Sequence, residues 1–264
     1  MLDFSKHKLG CLPPHPAAKS KRVAFASIFG VVLPTPELER DWTGGQTKRP
    51  MFGNDDVGDC TCAAIANIIV GSIKESYGKE WNPNTADVLN LYSKITGYDP
   101  SQTDPATGNN PTDTGAVIED VLKYVMKHGA FGHRLVGTAA IDPGDALNIK
   151  RSIDWFGCVD LGVSLPLAWQ DQPKWTMNEF STSAMNNLWS PGSWGGHCVC
   201  SEKYDPEFLY VWTWGELIPV SWDAVKGYFD TADAIIPASW IKKGMSPASI
   251  DLAVLESRMK EFAA

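Results

Sequence analysis

The spacing of apolar residues changes partway along the chain. From Thr61 to about Ser76, Ala63, Ala64, Ile65, Ile68, Ile69 and Ile73 recur at near-helical intervals, which predicts a helix opening at or beside Cys60 with Asp59 as its cap. Helices are expected at about 84–96 and 114–128, capped by Asn84 and Thr114 and closed by Gly97 and Gly129, and a short one at 145–156. Tyr98 to Pro111, rich in Asp, Pro, Gly and Asn, reads as loop. From residue 158 the period falls to two. Val159, Leu161, Val163 and Leu165 share one face of a strand, and 197–201, 208–213, 218–221 and 233–236 follow as further strands. Helices first and a mainly antiparallel sheet afterwards is an α+β order.

The chain has 264 residues, enough for one large domain or two lobes sharing a core. A formal charge of −8, spread without long blocks, argues against a nucleic-acid partner. The first ten residues lack the apolar core of a signal peptide, and no segment approaches the roughly 20 apolar residues of a membrane span, so no membrane partner is expected. Residues 1–32, basic and holding Pro13, Pro14 and Pro16, read as an extension too short for its own core, lying across a domain surface. The six cysteines sit in apolar runs rather than loops, which fits a reducing compartment better than a disulfide framework.

Two of these runs carry chemistry. Cys60 opens the apolar helix, Asn54 precedes it by six residues, and His197 begins a later strand in Trp194-Gly195-Gly196-His197-Cys198. A thiol, an amide and a lone imidazole are the parts of a nucleophile, an oxyanion donor and a base. Cys62, Cys198 and Cys200 invite a zinc reading, but strand alternation puts Cys198 and Cys200 on the face opposite His197, so neither metal nor cofactor is expected.

Together with Leu33-Pro34, Asp41-Trp42, Gly157-Cys158-Val159-Asp160-Leu161-Gly162-Val163 and Thr213-Trp214-Gly215, these runs resemble the papain-like cysteine peptidase family over most of the chain. The likeness extends to bacterial and phage-encoded papain-like proteins with the same Gly-Asn-Asp and Thr-Trp-Gly runs. It implies a two-lobe fold, a helical lobe and an antiparallel sheet or barrel lobe with a cleft between. Read onto this sequence, 1–32 is an N-terminal extension, 33–145 the helical lobe with Cys60, 146–245 the β-rich lobe with His197, and 246–264 a C-terminal helix or tail. By the same resemblance Cys60 is the nucleophile, His197 the base and acid, and Asn54 the oxyanion donor where the family carries glutamine. Peptides or proteins are the implied substrates, cleaved at peptide or isopeptide bonds through a Cys-His dyad.

The sequence departs from the family at several points. Its ring-orienting Asn falls on Trp212, which accepts no proton, so Thr213 and Trp214 are left to orient or shield the ring. Trp212→Asn is on this reading expected to raise activity if the new amide reaches the ring. Asp59 beside Cys60 raises the thiol pKa unless it turns away to cap the helix. The family's long inhibitory propeptide is not recognised. These departures favour a rival reading, an inactive papain fold with a structural or binding role, for instance in a phage or bacterial particle with a protein assembly partner. The location expected is cytoplasmic, or virion-associated for a phage-encoded chain. Nine of the eleven tryptophans fall in the second half, and Trp189, Trp194 and Trp214 are candidates to line a substrate cleft.

Overall fold

A computed structural model describes residues 3–15, 25, 34–177, 187–241, 251 and 253. The pattern's long apolar helix, α1 (Cys60–Tyr77), is buried on nearly every side, as expected of a helix with apolar residues around its whole circumference. Two helices follow, α2 (Thr85–Thr96) and α3 (Ile118–His128). Asn84 caps α2 by accepting the Asp87 N–H at 2.8 Å, and Gly97 ends it in the left-handed region.

The sheet is built from β1 (Arg40–Asp41), β2 (Leu135–Ile141), β3 (Val159–Leu165), β4 (Gly195–Tyr204), β5 (Phe208–Thr213), β6 (Glu216–Ser221) and β7 (Phe229–Pro237). Its order is β2-β7-β3-β4-β5-β6, β1 pairs with β4, and every named pair is antiparallel. Helix α4 (Ala146–Phe156) leads into β3, and α5 (Trp222–Tyr228) joins β6 to β7. The sheet separates two apolar clusters. One, on the α1 side, holds Ile65, Ile69, Val125, Cys198, Cys200 and Trp212. The other gathers Leu161, Val163, Val199, Val211, Trp169 and Trp175. Full burial of side chains such as Ile65 stabilises the fold by about 1.5–3 kcal/mol each. Strand alternation on β4 thus sends Cys198 and Cys200 to the helix and Val199 away from it.

Helix α1 lies close to the sheet because it carries glycine at the crossing: a Cβ on Gly71 would collide with the Glu202 carboxylate of β4. That carboxylate is buried with Arg49, Nη2 to Oε2 2.7 Å, and Arg49 lies 4.1 Å from the Trp212 ring centroid.

Some expectations are corrected. Asp59 holds the cap position of α1, but its side chain makes no capping hydrogen bond. The third helix starts at Ile118, not near Thr114, because Ala116 is bridged to Cys11 and Gly115 is in the left-handed region. β2, inside the 33–145 stretch, belongs to the sheet, and α5 was not foreseen. Of 246–264, only 251 and 253 are among the described residues.

The start of the chain, expected across a domain surface with the ends free to cross between lobes, does not rest on one side alone. Residues 8–12 instead run between the helical side and β4. Ala116 N–H donates to the Gly10 carbonyl at 2.8 Å, Leu12 N–H to the Ala116 carbonyl at 2.9 Å, and Cys11 N–H to the Gly196 carbonyl at 3.2 Å. Glycine is required here too, since a Cβ on Gly10 would collide with the Gly58 carbonyl.

Candidate active site

Cys60 is the first residue of α1, so its thiol sits at the positive end of an 18-residue helix. Backbone N–H groups of Cys198, Gly10 and Thr61 point at the sulfur. The first of these is the peptide that follows His197, which places the helix start directly against the strand carrying the imidazole.

His197 is buried, and its two nitrogens have different surroundings. Nε2 lies 2.8 Å from Thr213 Oγ1, whereas Nδ1 is buried with no hydrogen-bond partner. The ring stacks on Trp214, centroids 4.2 Å apart and planes inclined by 16°. Thr213, the last residue of β5, and Trp214 just after it therefore hold the ring, one by a hydrogen bond and one by its face.

Trp212 does not, and register explains why. Cys200 of β4 pairs directly with Trp212 of β5, so the two share the helix-facing side of the sheet. Thr213, one residue on, takes the opposite side, where His197 stands. Trp212 is buried against Arg49, and its Nε1 donates to Glu202 Oε2 at 3.3 Å. The expected gain from Trp212→Asn is corrected accordingly: residue 212 faces a buried ion pair, away from the imidazole.

Asn54 is buried in the turn leading to Cys60, and its Nδ2 donates to the Val57 carbonyl at 3.0 Å. One of its two amide protons is thereby committed to the turn. Asp59 is fully buried, both carboxyl oxygens lacking a hydrogen-bond partner, and burial raises its pKa well above the carboxylate range.

Of the tryptophans, Trp194 joins Trp214 with centroids 5.4 Å apart. Trp189 packs on the outer cluster of the sheet, and its carbonyl accepts the Tyr228 hydroxyl at 2.8 Å.

The N-terminal segment covers this constellation. Trp214 Nε1 donates to the Lys8 carbonyl at 3.3 Å, Phe4 stacks on Trp214 at 5.1 Å, and His7 lies 5.5 Å from the same ring. The electrostatic result is a resting pair. Burial pushes the Cys60 thiol up to about 12, and burial, with a smaller repulsion from His7, brings His197 down to about 3. Thiol and imidazole are both neutral at pH 7 in this state. The contacts of residues 4–12 escaped sequence reading because they are made largely by backbone; the glycines at 10, 58, 195 and 196 were the available signal.

No family model matches the sequence, and no curated protein does. Solved structures do match. Xylellain, a cysteine protease from Xylella fastidiosa, shares 15% identity at a TM-score of 0.60, over 89% of this chain and 98% of its own. Digestive procathepsin L 3 of Tenebrio molitor larval midgut matches at 12% identity and TM-score 0.54, over 88% of this chain and 77% of its own. Procathepsin B S9 from Trypanosoma congolense matches at 10% and 0.54, over 89% and 88%. Identities this low speak to architecture alone, and the architecture of this chain is the two-lobe α+β fold of papain-like cysteine proteases.

Proposed function

We propose that this chain is a papain-like cysteine peptidase, held closed by its own residues 4–12. The observation that carries the reading is the pairing of a helix-opening thiol with a strand whose imidazole is fixed at Nε2 and unbonded at Nδ1. A base needs a free nitrogen and a held ring.

Departure of the segment rewets the seam and removes the burial that keeps both groups neutral. The Cys60 proton then passes to Nδ1 of His197, and the helix N-terminus favours the thiolate. The thiolate attacks the peptide carbonyl carbon, and the C–N bond breaks as imidazolium hands its proton to the departing amine. A water, deprotonated by His197, hydrolyses the acyl-thioester and returns the thiol. In this reading Thr213 keeps the ring in register, and the Cys60 backbone N–H receives the oxyanion together with Asn54, whose amide first turns from the Asp59 carboxyl. One lost oxyanion donor costs about 2.7–4 kcal/mol of barrier.

The test uses the full chain. Gly10→Ala places a Cβ where the Gly58 carbonyl stands and expels the segment. This variant is expected to hydrolyse denatured casein, and a Gly10→Ala, Cys60→Ser double variant to lose activity by a factor on the order of 10⁶. A Gly10→Ala protein with its segment released and no turnover counts against the peptidase reading.

A further inference from the structure

A second concavity lies on the helical side, outside the seam. It has a volume of about 880 Å³, within the roughly 300–1,000 Å³ typical of small-molecule sites. One wall is a single stripe of α2, where Asp87, Asn90 and Lys94 recur at helical spacing. The other is the end of α3 and the tight turn after it. There the Ala130 and His133 backbones exchange two hydrogen bonds, 2.9 and 2.8 Å, and Phe131 is held at φ 55°. Trp81 meets His133 edge-on at 4.7 Å, and Tyr124 lies against His128 at 4.6 Å.

The lining makes little use of its own polar groups. Among the described residues, the side chains of Asp87, Asn90, Lys94 and Arg134 form no hydrogen bond or ion pair, although all four line one groove. Carboxylate and cation occur together, so a strongly anionic ligand meets Asp87 and a strongly cationic one meets Lys94 and Arg134. Half-buried Trp81, Tyr124 and Phe131 add apolar faces among these donors and acceptors. A ligand that suits this mixture is uncharged, carries many groups that both donate and accept, and has C–H faces to lay on aromatic rings.

We infer that this groove binds a neutral oligosaccharide. The site is independent of the Cys60 chemistry and stands whether or not the peptidase reading does.

The full chain is titrated with cellotetraose, maltotetraose and tetra-N-acetylchitotetraose up to millimolar concentration, following tryptophan fluorescence and backbone amide shifts. Saturable binding of at least one sugar is expected, with the shifts confined to residues 81–94 and 124–134. Asn90→Ala, an exposed helix position that leaves the fold intact, is expected to weaken binding by about tenfold, as is Trp81→Ala. The inference is overturned by no saturable binding of any of the three, by binding in both variants as tight as in wild type, or by a preference for trigalacturonate or trilysine over every neutral sugar.

Discussion

The seam between the lobes and the groove on the helical side are built in opposite ways. At the seam the polar groups are buried, Nε2 of His197 committed to Thr213 and the Trp214 indole to the Lys8 carbonyl, while Nδ1 of His197 is left unbonded. At the groove Asp87, Asn90 and Lys94 are exposed and unengaged. A thiol and an imidazole thus lie dry under the protein's own backbone, while polar groups away from them stay open to solvent. Desolvation separates the two regions, since it keeps a thiol and an imidazole neutral where solvent would let them ionise.

If that contrast is real, substitutions should cost far more at the seam's foundation than at the groove. Trp212→Asn removes a buried ring from the Arg49–Glu202 pair and is expected to destabilise the fold by about 3–5 kcal/mol in denaturant unfolding. Asn90→Ala should stay within about 0.5 kcal/mol of wild type. Comparable losses at the two positions would erase the distinction.

A smaller effect is expected one residue along. Thr213→Val leaves Nε2 of His197 buried without its partner, a loss of about 1–3 kcal/mol, whereas Thr213→Ser restores the oxygen and most of the stability. In a Gly10→Ala background the valine variant should also lower kcat more than KM is raised. Serine failing to rescue would indicate that the methyl group, not the hydroxyl, matters.

Acid should affect the two regions differently as well. His197 has its pKa lowered from 6.5 to about 3 by burial, so between those values the unfolded or opened chain binds a proton that the closed form does not. His197 alone therefore makes the stability of the closed form fall as pH drops from 6.5 towards 3, and the buried Asp59 carboxyl, with its pKa raised, acts in the opposite direction. Amide exchange at Cys11 and Leu12, corrected for intrinsic rates, should accelerate over that window, and His197→Gln should flatten the dependence. The groove-lining amides of α2 should show no such trend.

Much of the seam was legible in the sequence and the groove was not, for physical reasons. Cys60 and His197 stand in short local runs, and the period of 3.6 around Cys60 forecast α1 within a residue. Period-two reasoning even contained the answer to the ring's partner: Cys198 and Cys200 were assigned to the face opposite His197, and the Cys200–Trp212 pairing carries that assignment across to β5. What was lacking was the register between strands 200 and 212, which no single-strand pattern encodes. β2 escaped because Gly137 and Ala139 are too small to mark its buried face. The segment at residues 4–12 escaped because backbone hydrogen bonds leave no hydropathy signature. The groove joins two stretches, 81–94 and 124–134, that only the folded chain brings together.

The most direct measurement is the rate at which iodoacetamide alkylates Cys60 at neutral pH, mapped by peptide, in wild type and in Gly10→Ala. Wild type should react slowly, with its thiol held near 12, and Gly10→Ala should react at Cys60 at least tenfold faster while Cys62, buried two residues on and about 200° round the helix, stays unchanged. Wild-type Cys60 reacting as fast as an exposed thiol would contradict the account. So would a Gly10→Ala protein in which amide exchange shows the segment released and the Cys60 rate has not moved.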